Sequence, residues 1–239
     1  MKMNIKKMLK FKFPLLAVGL AATLLIIGCE APEENGAAQY EDGSYTAVSE
    51  ADERGYAEAE VTITDGEIND VSLKEYDELG VQKGEYYDYD VWHEAIEELP
   101  ERFVEANSAD IDAYTDATST SERSMDAVDK ALQRAEGYTE TFDGTFMGTS
   151  DVGEQGNLGV ALVTLQNGEI TEVDLREADE EGEFKDEDYD HEPWVEAAEE
   201  MPERFVEANS AEVDVYTEAT SSSEKWKEAV ERAMEKAAQ

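Results

Sequence analysis

Two threonines, Thr118 and Thr220, occupy the same place in near-copies of one segment, DAYTDATSTSE (112–122) and DVYTEATSSSE (214–224). In each copy a run of hydroxyl residues leads into a stretch with helical spacing. Ser119-x-x-Glu122 and Ser221-x-x-Glu224 have the form of capping boxes. The spacing predicts a helix that starts there, with each threonine one residue before the cap, at the positive end. Backbone N–H groups and the helix dipole at such an end favour an anion, phosphate above all. The chemistry this offers is a hydroxyl carrying a phosphate-linked group, held where the linkage is electrostatically favoured.

Other chemistry finds little support. Cys29 is the only cysteine. That excludes a disulfide, an iron–sulfur cluster, a zinc–thiolate site and C-x-x-C-H haem attachment from the mature chain. Any redox role therefore needs a cofactor that does not use cysteine. The two histidines do not correspond: His93 falls opposite Val195, and His191 opposite Tyr89. Both read as surface residues. The sequence has no serine–histidine triad motif, no G-x-x-x-x-G-K loop and no D-x-D-x-D-G calcium loop. Trp92 and Trp194 do correspond. They read as core packing, with a wall for a flat ring as the sharper alternative. Tyr86, Tyr87 and Tyr89 are further candidates for stacking.

The elements that must position these residues come from a duplication. PERFVEANSADID (100–112) returns as PERFVEANSAEVD (202–214), with two of 13 positions changed. The same offset of 102 pairs VTITDGEINDV (61–71) with VTLQNGEITEV (163–173). Within each copy a short strand comes first, near Tyr45 in copy one. A hairpin follows, its strands marked by alternating Val61, Ile63, Ile68, Val71 and Leu73. Its turn is Asp65-Gly66 in copy one and Asn167-Gly168 in copy two. A helical segment then runs through Trp92, Ala95 and Ile96, and Pro100 and Pro202 are expected to open new helical pieces. The last helix carries Met125, Val128, Ala131, Leu132 and Ala135, or Trp226, Val230, Ala233, Met234 and Ala237. The fold class is α+β: two tandem copies of a small antiparallel sheet packed by helices.

The threonine segment, together with the hairpin before it, resembles the FMN-binding domain family. That family includes domains of sodium-pumping quinone reductases and flavin-bearing surface lipoproteins. Its attachment signature is D-x-x-[ST]-G-A-T-[ST]. The matching residues are Asp112, Thr115, Ala117 and Thr118, and in the second copy Asp214, Thr217, Ala219 and Thr220. The resemblance implies FMN joined through a phosphoester to Thr118 and Thr220 by a separate flavin transferase. It implies electrons arriving from a membrane quinol oxidoreductase or another redox donor and leaving to an extracellular acceptor. The threonines are then tethers, so the chain reads as an electron carrier more than a stand-alone catalyst. The signature's glycine is Asp116 in one copy and Glu218 in the other. If that position needs positive φ, Asp fits it poorly and Glu worse. The alternative reading is a lipoprotein of the same fold that binds a small molecule or an envelope partner without flavin.

The N-terminus has five lysines, then an apolar stretch from Phe13 to Ile27, then Gly28-Cys29. Ile26-Ile27-Gly28-Cys29 resembles the lipobox of bacterial lipoproteins. This implies cleavage before Cys29, a diacylglycerol on its sulfur, and anchoring at the outer face of the cell membrane by two acyl chains. The expected organisation is a lipoprotein signal peptide over 1–28, a flexible tether over 29–41, and two domains over 42–136 and 137–239. The formal charge is -41. Without the first 28 residues, 14 basic residues face 60 acidic ones, giving -46. Such a surface repels nucleic acid and suits a salt-rich medium, where screening lengths are short.

Overall fold

The computed structural model describes residues 40–239. The lipobox, Cys29 and nearly all of the tether lie outside the described residues. The chain builds one unit twice. In the first, β1 (Gly43–Val48), β2 (Tyr56–Thr64) and β3 (Glu67–Tyr76) precede α1 (Asp90–Ala106) and α2 (Thr118–Ala135). In the second, β4 (Gly144–Thr149), β5 (Leu158–Gln166) and β6 (Glu169–Ala178) precede α3 (Glu192–Ala208) and α4 (Thr220–Ala237). Each trio forms an antiparallel sheet, ordered β1-β2-β3 and β4-β5-β6. The fold is α+β in tandem repeat.

The hairpin turns follow from their residues. Asp65 and Gly66 have φ of 57° and 78°, and Asn167 and Gly168 have 53° and 76°. Two positive φ values in a two-residue loop match the strand twist, and Asp-Gly and Asn-Gly adopt them at low cost. One residue further in, the register shifts at Thr62/Ile63 and at Thr164/Leu165. Alternation then sends Ala57, Ala59, Val61 and Ile63 inward. Helix α2 packs across β1 and β2, and α1 lies over β3.

Pro100 and Pro202 start no new helix: each lies inside one continuous 17-residue helix. A proline inside a helix costs about 3 kcal/mol. The buried row Trp92, Ala95, Leu99 and Phe103 runs straight across it. Burying a leucine or phenylalanine stabilises by about 1.5–3 kcal/mol each. Leu99 and Phe103 are fully buried, so packing outweighs the lost backbone bond. The helix stops at Asn107 (φ 49°), whose Oδ1 accepts the Ile68 N–H at 2.7 Å and ties α1 to the hairpin. Asn209 does the same for Ile170 at 2.7 Å.

The repeats pack on each other. Val48 and Tyr56 of the first repeat join the apolar core of the second. The Ala51 N–H donates to Thr145 O at 2.7 Å. Lys236, near the end of α4, donates to Tyr56 Oη at 2.6 Å and Met147 O at 2.8 Å. Arg134 binds the carbonyls of Tyr138 and Glu140 and lies 4.2 Å from the Phe142 ring, fastening the connecting segment.

Candidate functional site

Helices α2 and α4 begin two residues earlier than the capping boxes require. Thr118 and Thr220 are the first helical residues, and Ala117 and Ala219 are the N-caps, with no side-chain cap bond. Ser119 and Ser221 therefore lie inside the first turn, and the expected boxes do not form. Ser121 takes over: its hydroxyl donates to Ala117 O at 2.9 Å and accepts the Tyr114 N–H at 2.9 Å. Ser223 repeats this with Ala219 and Tyr216 at 2.9 and 3.0 Å. The first backbone bond of each helix runs from Ser121 to Ala117 and from Ser223 to Ala219. The N–H groups of the three preceding residues thus have no intrahelical partner.

Both threonines are exposed. Each lines a cavity at the end of the third strand of its repeat, about 620 Å³ beside Thr118 and about 240 Å³ beside Thr220. Of the signature residues, Ala117, Thr118, Ala219 and Thr220 border these cavities. Asp112, Thr115 and Asp214 do not, and Thr217 borders a separate groove beside α3. Asp116 and Glu218 have φ of 63° and 65°. The position of the signature's glycine does require the left-handed region.

The floor of each cavity holds a buried carboxylate that the sequence did not single out. Glu75 is 1% exposed. Its Oε1 accepts from Lys83 Nζ at 2.9 Å and Arg123 Nη1 at 2.7 Å. Its Oε2 accepts from Trp92 Nε1 at 2.6 Å and the Thr120 hydroxyl at 3.0 Å. In the second repeat Glu177 accepts from Lys185 at 2.9 Å, Lys225 at 3.2 Å and Trp194 at 2.7 Å. Burial by itself pushes the Glu177 carboxyl up, but hydrogen bonds from Ser222, Lys185 and Trp194 reverse this and leave it below its ordinary value. Desolvating a charge costs several kcal/mol, and a full set of partners is what makes it tolerable. These contacts place a cation pair beside the helix end in both repeats. The signal was present in the sequence: Glu75, Lys83 and the cation at 123 all recur at the offset of 102.

Trp92 and Trp194 are buried, as the packing reading expects, and Trp194 also borders its cavity. Tyr87 and Tyr89 border the first cavity, whereas Tyr86 does not. Tyr89 donates its hydroxyl to Asp116 O at 2.7 Å. One histidine meets the surface expectation and the other does not. His191 is exposed but borders the second cavity. His93 is half-buried, and its Nε2 donates to Tyr87 O at 2.7 Å.

An exposed hydroxyl, unpaired helix N–H groups and fixed cations together suit a ligand with a phosphate and a polar ring. The model of the FMN-binding domain matches residues 54–133 and again 153–235. The chain belongs to the FMN-binding domain family, and FMN is the cofactor this membership supports. No curated protein matches the chain. Among solved structures it is similar to the crystal structure of the CPE2226 protein from Clostridium perfringens, at 26% identity and a TM-score of 0.37. That match covers 42% of this chain and 93% of the other. The first cavity fits FMN by size, since ligand sites run from about 300 to 1,000 Å³. The second is smaller than that range, so it encloses less of a ring system.

Proposed function

We propose that the chain is a lipid-anchored flavoprotein of the extracytoplasmic membrane face. In this reading it carries electrons through FMN joined by a phosphoester to Thr118 and Thr220. The observation that carries the reading is the placement of each threonine. Its hydroxyl is exposed at the first position of an 18-residue helix and borders a cavity floored by a fixed cation pair. Bound FMN supplies the redox chemistry. The chain's own residues hold and orient it: the helix N-terminus faces the linkage, and Lys83 and Arg123, or Lys185 and Lys225, face the cavity. A flavin transferase makes the bond, a membrane quinol oxidoreductase or another redox donor delivers electrons, and an extracellular acceptor takes them. Diacylglycerol on Cys29 holds the protein to the membrane, and the acidic surface suits salt-rich surroundings.

The test is the intact mass of protein made together with a flavin transferase. Each modified threonine adds one FMN less one water. Thr118→Ala and Thr220→Ala should each remove one such increment. A chain of unmodified mass from cells that contain the transferase would instead support a binding lipoprotein without flavin. The narrower second cavity and Glu218 favour that outcome more in the second repeat than in the first.

A further inference from the structure

Between α1 and α2 the chain runs through residues 107–117 without regular structure, and residues 209–219 do the same in the second repeat. This segment sets where the threonine hydroxyl stands. It is gripped from outside the cavity. Arg102, on α1, donates from Nη1 to Asp112 O at 3.0 Å. Its Nε and Nη2 donate to Glu98 Oε1 at 3.0 and 2.6 Å, which fixes the guanidinium plane. The guanidinium also lies 5.2 Å from the Tyr114 ring, and the Tyr114 hydroxyl donates to Glu94 at 3.0 Å. From the other side, Ser121 accepts the Tyr114 N–H.

The second repeat builds the same grip. Arg204 donates to Asp214 O at 2.9 Å and to Glu200 at 3.2 and 2.6 Å. Its guanidinium lies 5.4 Å from the Tyr216 ring, and Tyr216 donates to Glu196 at 2.8 Å. The Arg102–Glu98 pair is partly exposed, with side chains 31% and 50% accessible. Pairs of that kind, half open to water, add little to stability. A device that adds so little to stability, yet binds the attachment segment's backbone in both repeats, points to a role in placement.

We infer that Arg102 and Arg204 are positioning residues for covalent modification of Thr118 and Thr220. The inference rests on the reading that these threonines carry FMN. In the step concerned, the threonine Oγ forms a bond to phosphorus of a flavin phosphoanhydride. The hydroxyl proton passes to the leaving phosphate or the medium, the anhydride P–O bond breaks, and the second phosphate departs on its nucleoside as a nucleoside monophosphate. Nothing is oxidised or reduced. The arginine touches none of the reacting atoms. It holds the backbone at Asp112 or Asp214, and so fixes the hydroxyl for in-line attack.

The test incubates the full chain with a flavin transferase and flavin adenine dinucleotide, following label at each threonine by peptide mass. Each threonine is the control for the other. A misplacement of about 1 Å costs on the order of 100-fold in rate. Arg102→Ala should therefore lower kcat for Thr118 by about 10- to 100-fold and leave Thr220 unchanged. Arg204→Ala should give the mirror image. Arg102→Lys, which keeps one donor for Asp112 O, should recover part of the rate. Glu98→Gln, which loosens the hold on the guanidinium, should lower the Thr118 rate by less than Arg102→Ala does, and a cooperative urea transition in each variant shows that it has folded. A Thr118 rate in Arg102→Ala equal to that in the unchanged chain, or a change in KM alone, overturns the inference. Label at neither threonine in the unchanged chain overturns the flavin reading and this inference with it.

Discussion

The indole N–H of Trp92 donates to the Glu75 carboxylate at 2.6 Å, and both side chains are buried. The bond links α1 to the end of β3, while Arg123 and Thr120 link the same carboxylate to α2. Three elements thus meet on one charge beneath the threonine. Removing one member of such a buried set leaves the others uncompensated, at about 3–5 kcal/mol. Glu75→Ala should lower the free energy of urea unfolding by that order, and Glu75→Gln by less.

Acid should unfold the second repeat partly through Glu177. Its carboxyl is lowered in the folded protein from an ordinary value of 4.5. The folded state therefore binds the proton less readily than the unfolded one. The stability it adds is whole above the unfolded value and is lost as pH falls through the folded one. Glu177→Gln should flatten the fall in stability below about pH 4.5, measured by urea titration across pH.

Lys236 sits between the repeats, and burial pushes its ammonium down to about 8 from 10.5. Between those two values the unfolded chain binds more protons than the folded one, so this group makes stability rise with pH. Tyr56, its hydrogen-bond partner, acts in the opposite sense. Burial raises its hydroxyl above the ordinary value of 10.0, so its contribution falls once pH passes that value. Lys236→Met should gain stability relative to the unchanged chain below pH 8, and the gain should shrink as pH approaches 10. Paired urea titrations across that range check both signs.

Asp116 and Glu218 hold φ of 63° and 65° with full side chains. The left-handed region costs an ordinary residue about 1–2 kcal/mol. A glycine gives back about 0.5–1 kcal/mol through its unfolded-state freedom. Glu218→Gly should stabilise by roughly 1 kcal/mol at most. Asp116→Gly should gain less, because aspartate tolerates this region better. Urea midpoints at constant m-value are the measure.

The two cavities differ, at about 620 and 240 Å³. With limiting transferase, Thr118 should acquire label before Thr220 in the same chain. Equal rates at both sites would show that cavity size plays no part in loading.

Much of the fold was legible in the residues. Period-two alternation, the Asp-Gly and Asn-Gly turns and the helical stripes depend on neighbours a few positions apart, which the sequence displays directly. The offset of 102 then doubled every reading. The two prolines and the two capping boxes went the other way. In each, a local preference of one to a few kcal/mol competed with a buried helix face or with Ser121 and Ser223, and tertiary contacts prevailed.

By itself, the sequence determined the duplicated α+β unit, the acidic surface and the place of each threonine at a helix start. Only the tertiary structure decided what lies beneath those threonines. Glu75 meets Thr120 and Arg123 across 45 and 48 residues, and Lys236 meets Tyr56 across 180. No local pattern encodes such meetings. A buried charge finds its partners only when distant elements have packed around it, because the cost of desolvation exists only in the folded interior.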